Sequence, residues 1–557
     1  MKRILLSLIG VLCIASIVYG QDRRLLTMED AILNRSLNPK NYQVRWSSDY
    51  PNEYLHQEDS ITYAINIRTG KKRSVTLPAI SKQHTPHAIL KGNNISWLTA
   101  DSVEIPITQF ADSNIVCGQA VSRNEFGCMQ GLFPSPDNSR LAFYVKDESN
   151  VTTFPLLDIT TRTGTARNIK YPMIGMPSEQ LKFGVYDVAQ NKTIYLNITD
   201  FTDERYLTNP AWSPDSKTIY IQVMNREQKS LNLNAYDAQT GEYITTILTE
   251  QNDRFLEPNM PLIFLDNDRF IYTTDNRDGY YNLYLYSIKN QQLERLTSVD
   301  ADVEYLTHDA KHVYYYSFEV SSAERHLYRV NIATGKTTRL THAEGWHICQ
   351  LSPDKRYFTD NYSSLNVPRV VAVGSTDGRF YRDVFRADDP CQDYNFAPIE
   401  LGTIRSADGK YDNHYRLIRP LDFDSTKQYP VILYVYGGPH TQLVRNSYQG
   451  YLRRWEMYMA QRGYIVFVMD NRGTPNHGAD YARAIHRQCG VVEMQDQMAG
   501  MEWLMSHSWV DKNRIGVHGW SYGGFMTISL MTNYPDIFKV GVAGGPVIDW
   551  KWYEVMY

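Results

Sequence analysis

Gly519-Trp520-Ser521-Tyr522-Gly523-Gly524 has the form G-x-S-x-G with one further glycine. That pattern belongs to a sharp strand-to-helix turn which lifts a serine hydroxyl out of a sheet. The flanks fit the turn. Before it, Arg514-Ile-Gly-Val-His518 is a short apolar run suited to a buried strand, and after it Phe525-Met-Thr-Ile-Ser-Leu-Met531 continues as a helix that ends near Tyr534-Pro535. Glycines at 519, 523 and 524 remove the β-carbons that would collide where strand and helix meet. Ser521 is therefore the candidate nucleophile.

Working back from Ser521, unbroken apolar runs alternate with helical ones. Tyr415–Ile418, Val431–Tyr436, Ile465–Met469 and Ile515–Val517 read as strands; Trp455–Arg462 and Val492–His507 read as helices, the second with Met494, Met498, Met501 and Leu504 at helical spacing. Buried strands between helices predict a doubly covered, mostly parallel sheet, an α/β-hydrolase domain over 396–557. In that fold the acid and the histidine follow the serine in chain order. The chain runs only to Tyr557, so this domain is expected to be incomplete, ending before the triad Asp and His, and the chain alone inactive or nearly so. His477, His486 and His518 precede the serine. Asp496 and Asp549 fit a triad acid poorly.

Residues 51–395 carry a different theme. Ser-Pro-Asp recurs at 135–137, 213–215 and 352–354 before β-rich runs, and Thr-Gly recurs at 69–70, 240–241 and 334–335 between them. Gly279–Tyr286 alternates at period two, as a half-buried strand does. Self-similar β units of several tens of residues predict a β-propeller of seven or eight blades. The 41 tyrosines agree with a strand-rich chain. Residues 21–50, before the first blade, are expected to pack back onto the second domain.

The N-terminus reads as a signal peptide over 1–20: Lys2-Arg3, an apolar stretch from Ile4 to Val18, and small-residue cleavage before Gln21. Export is expected, to the periplasm or cell surface in a bacterium. Of the cysteines beyond that segment, Cys117 and Cys128 could form a local bridge, with buried thiols the equal alternative, and Cys349, Cys391 and Cys489 complete an odd set. A net charge of −4 argues against nucleic acid as a partner. No metal signature appears, and no cofactor is expected.

Tyr436-Gly-Gly-Pro439, Asp470-Asn-Arg-Gly473, Gly519–Gly524 and the closing stretch Pro546–Tyr557 are together similar to the dipeptidyl peptidase IV branch of the prolyl oligopeptidase family, most of all to its bacterial prolyl tripeptidyl peptidases. The resemblance spans the propeller as well, in Arg123–Gly127 and Leu207–Asp215. It implies that Ser521 is acylated, and that the Tyr522 N–H and the Tyr436 hydroxyl hold the oxyanion. It further implies that Tyr522, Val547, Trp550, Tyr553 and Tyr557 form an apolar pocket for proline. Glu125 would receive the substrate's terminal ammonium. Dipeptidyl members carry adjacent glutamates there, whereas Asn124 and Phe126 flank Glu125, and Glu554 matches the additional glutamate of tripeptidyl members. The expected function is an exported serine exopeptidase releasing Xaa-Xaa-Pro from peptides with a free N-terminus. Release of Xaa-Pro dipeptides is the alternative, and an inactive fragment acting as a peptide-binding propeller the second. A homodimer is implied by resemblance only.

Overall fold

A computed structural model describes residues 23–77 and 85–557; the signal-peptide reading of 1–20 lies outside them. Between Glu53 and Arg386 the described residues form seven successive antiparallel sheets, spanning 53–75, 87–106, 115–195, 206–251, 263–295, 303–339 and 346–386. The last four each have four strands in sequence order. The third carries an inserted hairpin, Thr153–Asp158 with Thr165–Lys170. The ring closes where Tyr54, Ile65 and Ile67 of the first blade pack with Tyr357 and Val373 of the last. The Arg382 guanidinium adds a 3.0 Å bond to the Ile67 carbonyl.

The recurring turns have one construction each. In Ser-Pro-Asp the serine hydroxyl donates to the aspartate at 2.7 Å in all three copies. The next residue, Asn138, Ser216 or Lys355, takes a left-handed φ of 57–60°. In the fourth and seventh blades this turn joins the first and second strands, and in the third it joins Leu132–Pro134 to Arg140–Asp147. In the Thr-Gly turns Asn66, Asp237 or Asn331 accepts the threonine N–H at 2.8–3.0 Å, and Gly70, Gly241 or Gly335 supplies the positive φ. Gly279–Tyr286 departs from expectation. Gly279 is a left-handed turn residue, the strand begins only at Asn282, and it is buried on both faces.

The second domain is a six-stranded sheet: β1 (Ile399–Arg405), β2 (Asp412–Ile418), β3 (Tyr429–Tyr434), β4 (Ile465–Met469), β5 (Val510–Trp520) and β6 (Phe538–Gly544), in the order β1-β2-β4-β3-β5-β6. From β4 to β6 the pairings are parallel, while β1 and β2 join antiparallel. Three helices cover it: α1 (Arg454–Gln461), α2 (Val492–Met505) and α3 (Tyr522–Asn533). The strand period of two divides β4 between two cores. Val466 and Val468 pack with Met457 and Ala460 of α1; Phe467 and Met469 pack with Met498, Met501 and Leu504 of α2 and Met526 of α3.

The segment before the first blade joins the α1 side of this sheet. Leu26 and Leu37 are buried in the α1 core, and the Leu26 N–H donates to the Gln461 side chain at 3.0 Å. Cys117, Cys128, Cys349, Cys391 and Cys489 are all free thiols, so the Cys117–Cys128 bridge is not formed. None of the described helices is long and apolar enough to cross a membrane.

One polar contact lies wholly inside the α1 core. Arg416 on β2 and Glu456 on α1 are 1% and 0% exposed, and the guanidinium donates to both carboxylate oxygens at 2.7–3.2 Å. Its remaining Nη1 donates to the carbonyls of Leu443 and Gly450. Removing one partner strands a buried charge, which costs about 3–5 kcal/mol. Glu456→Ala is therefore expected to lower the midpoint of the second domain's thermal unfolding by about 10 °C. A shift within a degree or two in calorimetry would show that the pair contributes little.

Candidate active site

β5 delivers Ser521 with φ 58° and ψ −116°, and α3 begins at the next residue. A non-glycine backbone held there costs roughly 1–3 kcal/mol and persists only when its surroundings fix it. They do. A β-carbon on Gly519 would stand 2.2 Å from the Gly523 carbonyl oxygen, and one on Gly523 would stand 2.2 Å from that of Val435. One on Gly524 would stand 2.7 Å from that of Gly544. The Ser521 N–H donates to Gly544 O at 2.8 Å, tying the elbow to β6.

Tyr522 opens α3, so its N–H has no partner within the helix. The ring lies against Gly438, where a β-carbon would approach to 2.4 Å, and the phenol donates to Glu493 of α2. Burial holds that phenol far above its usual range, so it stays protonated. Tyr436 stands two residues past β3, half-buried, with its ring 5.9 Å from that of Tyr522. Its hydroxyl has no hydrogen-bond partner among the described residues. The loop that carries it is held by Asp470, whose oxygens accept the N–H groups of Leu443 at 2.8 Å and Val444 at 2.9 Å. Asn471 donates to the Gly437 carbonyl.

The expected proline pocket is a cluster of aromatic faces. Trp550 and Tyr557 stack at 5.7 Å and 8°, Tyr553 meets each edge-on at 5.5 and 4.9 Å, and Tyr522 lies 5.4 Å from Trp550. Val547 is half-buried on the loop that leads there from β6. A flat, apolar ring fits between such faces.

Trp550 and Tyr557 also line a cavity of about 660 Å³ between propeller and hydrolase domain, with Glu125, Glu257, Arg226 and His440 on its wall. Glu125 is presented by an unusual backbone. Ser122, Arg123, Asn124, Phe126 and Gly127 all have φ between 48° and 73°. Long-range contacts impose that shape: the Ser122 N–H donates to buried Glu179 at 2.7 Å, and Asn209 holds the Phe126 carbonyl at 3.0 Å. Phe126 itself packs on Tyr206 in the propeller core. No second carboxylate stands beside Glu125 in sequence. Burial, opposed by His440, raises its pKa.

Glu554 is 5% exposed, and its Oε2 has no hydrogen-bond partner. The nearest cation, the Arg123 guanidinium, stands 3.9 Å away. Burial first, and the charge of Glu125 second, push its carboxyl up to about 8. Its neighbours are fixed to the propeller: the Ile174 N–H donates to Tyr553 O, and the Val555 N–H to Pro172 O, both at 2.9 Å. The two glutamates thus share one electrostatic neighbourhood, although Glu125 lies in the propeller and Glu554 in the hydrolase domain.

Upstream histidines are occupied elsewhere. His477 bonds Ser322 at 2.8 Å and stacks on Tyr481, and burial pushes its pKa down to about 4. His518 bonds the Val542 carbonyl between Tyr434 and Trp455, and His486 packs on Phe255. Among the described residues no side chain bonds the Ser521 hydroxyl. Asp496 is buried on α2, clamped to the Arg472 guanidinium, and Asp549 caps the turn at Trp550–Trp552. Sequence reading gives no role to Glu493, His440 or Glu257, and takes Asp470 only as part of the Asp470–Gly473 motif, not as the carboxylate that holds the Tyr436 loop. The available signal for Glu493 was a carboxylate on the same face of α2 as Met501 and Leu504. No group of side chains among the described residues is arranged to hold a metal.

Residues 32–369 match the N-terminal region of dipeptidyl peptidase IV, and residues 451–556 match the prolyl oligopeptidase family. Among solved structures, a putative dipeptidyl aminopeptidase IV from Bacteroides ovatus superposes with a TM-score of 0.83 at 36% identity, covering 94% of this chain and 85% of that one. Porphyromonas gingivalis dipeptidyl peptidase 4 gives 0.78 at 27% identity, with 96% and 78% covered. Mouse dipeptidyl peptidase 8 is 25% identical over 75% of this chain, and the chain spans only 55% of that relative's length. The elbow, the propeller and the matched regions agree: this chain belongs to the prolyl oligopeptidase family, in its dipeptidyl peptidase IV branch.

Proposed function

We propose that this chain provides the substrate-recognition and nucleophile-bearing parts of an exported serine exopeptidase that releases N-terminal tripeptides, Xaa-Xaa-Pro, by cleavage after proline. The carrying observation is Glu554, a buried carboxyl with an unpartnered oxygen beside the aromatic pocket and in the field of Glu125. In this reading a proline ring enters between Trp550, Tyr553 and Tyr557, which brings its carbonyl carbon to Ser521. The Tyr522 N–H and the Tyr436 hydroxyl meet the carbonyl oxygen as it becomes negative; such donors are worth about 3–4 kcal/mol each where charge develops. The substrate's ammonium meets Glu125 and Glu554, which sets how many residues fit between amine and serine. Xaa-Pro release is the second reading, and the names of the relatives favour it. A peptide-binding propeller without catalysis is the third, favoured by the unpartnered Ser521 hydroxyl. Export rests on the sequence of residues 1–20, and a homodimer on the family resemblance.

Serine without a contacting base is a poor nucleophile. The 557-residue chain is accordingly expected to react weakly or not at all with a fluorophosphonate probe. Strong labelling that disappears in Ser521→Ala would mean that a residue already described serves as base.

Tripeptide and dipeptide readings separate on binding alone. Calorimetry should find Ala-Ala-Pro bound more tightly than Gly-Pro, with N-acetylation costing roughly tenfold or more, since a buried carboxylate then loses its ammonium partner. Glu554→Gln should erode the tripeptide preference, whereas Glu125→Gln should weaken both peptides. Tighter binding of Gly-Pro would decide for dipeptides.

Proton linkage gives an independent check on Glu554. With its pKa near 8 the carboxyl is mostly protonated at pH 7, and an arriving ammonium favours its ionised form. Binding of Ala-Ala-Pro at pH 7 should release up to about one proton, read from calorimetry in buffers of different ionisation enthalpy. Release undiminished in Glu554→Gln would assign the proton to another group.

A further inference from the structure

His440 lies in the loop that carries the oxyanion tyrosine Tyr436, and its Nε2 is bonded at 2.5 Å to Glu257 Oε1 of the propeller. Both residues line the cavity that Glu125 also lines. The loop has little freedom there. Gly437 and His440 have φ of 80° and 62°, and Gly438 is pressed against the Tyr522 ring. On the propeller side the Glu257 carbonyl accepts the Tyr281 hydroxyl at 3.0 Å, which fixes the segment bearing the carboxylate. The charged groups facing His440 around the wall are Glu125, Glu227 and Glu257, with Arg226 beside them, and His486 and Arg487 from the hydrolase domain.

We infer that His440 is a specificity-determining residue: its imidazolium, held between Glu257 and Glu125, places a built-in cation where a peptide's terminal ammonium must arrive. The site therefore takes free amines best when His440 is neutral. The inference rests on the amine-recognition reading above and assigns to that site its dependence on pH. The hydrogen bond that the His440 Nε2–H donates to Glu257 raises the His440 pKa above its ordinary value; burial opposes the rise, and the charges of Glu257 and Glu125 add to it. The cation is then present in weakly acidic solution and lost as pH rises through the raised pKa. While present it neutralises carboxylate charge that would otherwise attract the ammonium, and it repels the ammonium itself. His440 is half exposed, with 53% of its side chain accessible, so solvent screens part of this effect.

The test is calorimetric titration of the 557-residue chain with Ala-Ala-Pro and N-acetyl-Ala-Ala-Pro between pH 5.5 and 7.5. The wild type is compared with His440→Gln, whose amide can still donate to Glu257. At pH 5.5 His440→Gln is expected to bind the free-amine peptide about fivefold more tightly than wild type, as for one nearby charge removed from a partly screened site. Its affinity should rise less steeply with pH, and the acetylated peptide should be unaffected. Titration of Glu554 is common to both proteins, so the difference between them reports on His440. Glu257→Gln supplies a second readout: without its partner the histidine should titrate at lower pH, moving the transition in affinity downward. Equal pH slopes in wild type and His440→Gln, or weaker amine binding by His440→Gln at every pH, would overturn the inference. If the wild type bound both peptides equally, amine recognition would fail, and with it the premise.

Discussion

The carbonyl oxygen of Val435 occupies the space that a side chain at Gly523 or Gly519 would need, 2.2 and 2.4 Å from their β-carbon positions. Everything chemical in this molecule depends on that closeness. Because β3 and β5 can approach so nearly at their ends, the residues that follow them emerge side by side. Tyr436 comes off one strand and Ser521 off the other. The helix that starts at Tyr522 then lies beneath the loop of Gly437 and Gly438, with the Tyr522 ring against Gly438 and Met526 against Gly437. A methyl group at either glycine would collide with the Val435 carbonyl and push the strand end that carries Ser521 away from the one that leads to Tyr436.

What the sequence made legible was the structure held by local chemistry. The elbow, the Ser-Pro-Asp turns and the Thr-Gly turns each contain their own hydrogen-bond partners within a few residues, so residue type and spacing suffice to read them. The apolar runs at 431–436 and 465–469 were equally plain, because both faces of a central strand are covered and the period-two signal fills in. Harder elements depend on distant partners. The backbone around Glu125 is left-handed at Ser122, Arg123, Asn124 and Phe126, residue types that do not choose it; Glu179 and Asn209 impose it from other strands. β6 interrupts its apolar residues with Lys539, Gly541 and Gly544, so no unbroken apolar run marks it in the sequence. α2 buries Glu493, Asp496 and Gln497 along with its methionines, because the two carboxylates and the Gln497 amide nitrogen find partners on other elements.

The candidate site was legible to the same degree and for the same reason. Ser521 and Tyr522 announce themselves through the motif. The aromatic cluster of Trp550, Tyr553 and Tyr557 lies within one short segment, so its members meet whatever the rest of the fold does. Glu125 and Glu554 are different: nothing local couples a glutamate in a propeller turn to one near the far end of the chain. Their relation, like that of His440 to Glu257, is created by the docking of two domains and has no counterpart in composition or spacing. Family resemblance supplied the first pair, and only coordinates supplied the second.

Residues 172–174 of the third blade and 553–555 of the hydrolase domain exchange backbone hydrogen bonds, like two strands laced across a seam. One lip of the aromatic cluster is thus sewn to the propeller while Ser521 belongs to the sheet. The pocket is a joint, and its dimensions are those of the joint. Any ligand seated there would brace two bodies against each other, so part of its binding free energy would go into cohesion of the whole molecule. By the same logic, a substitution on the propeller far from the cluster can change the shape of the joint, simply by changing how the two bodies sit together.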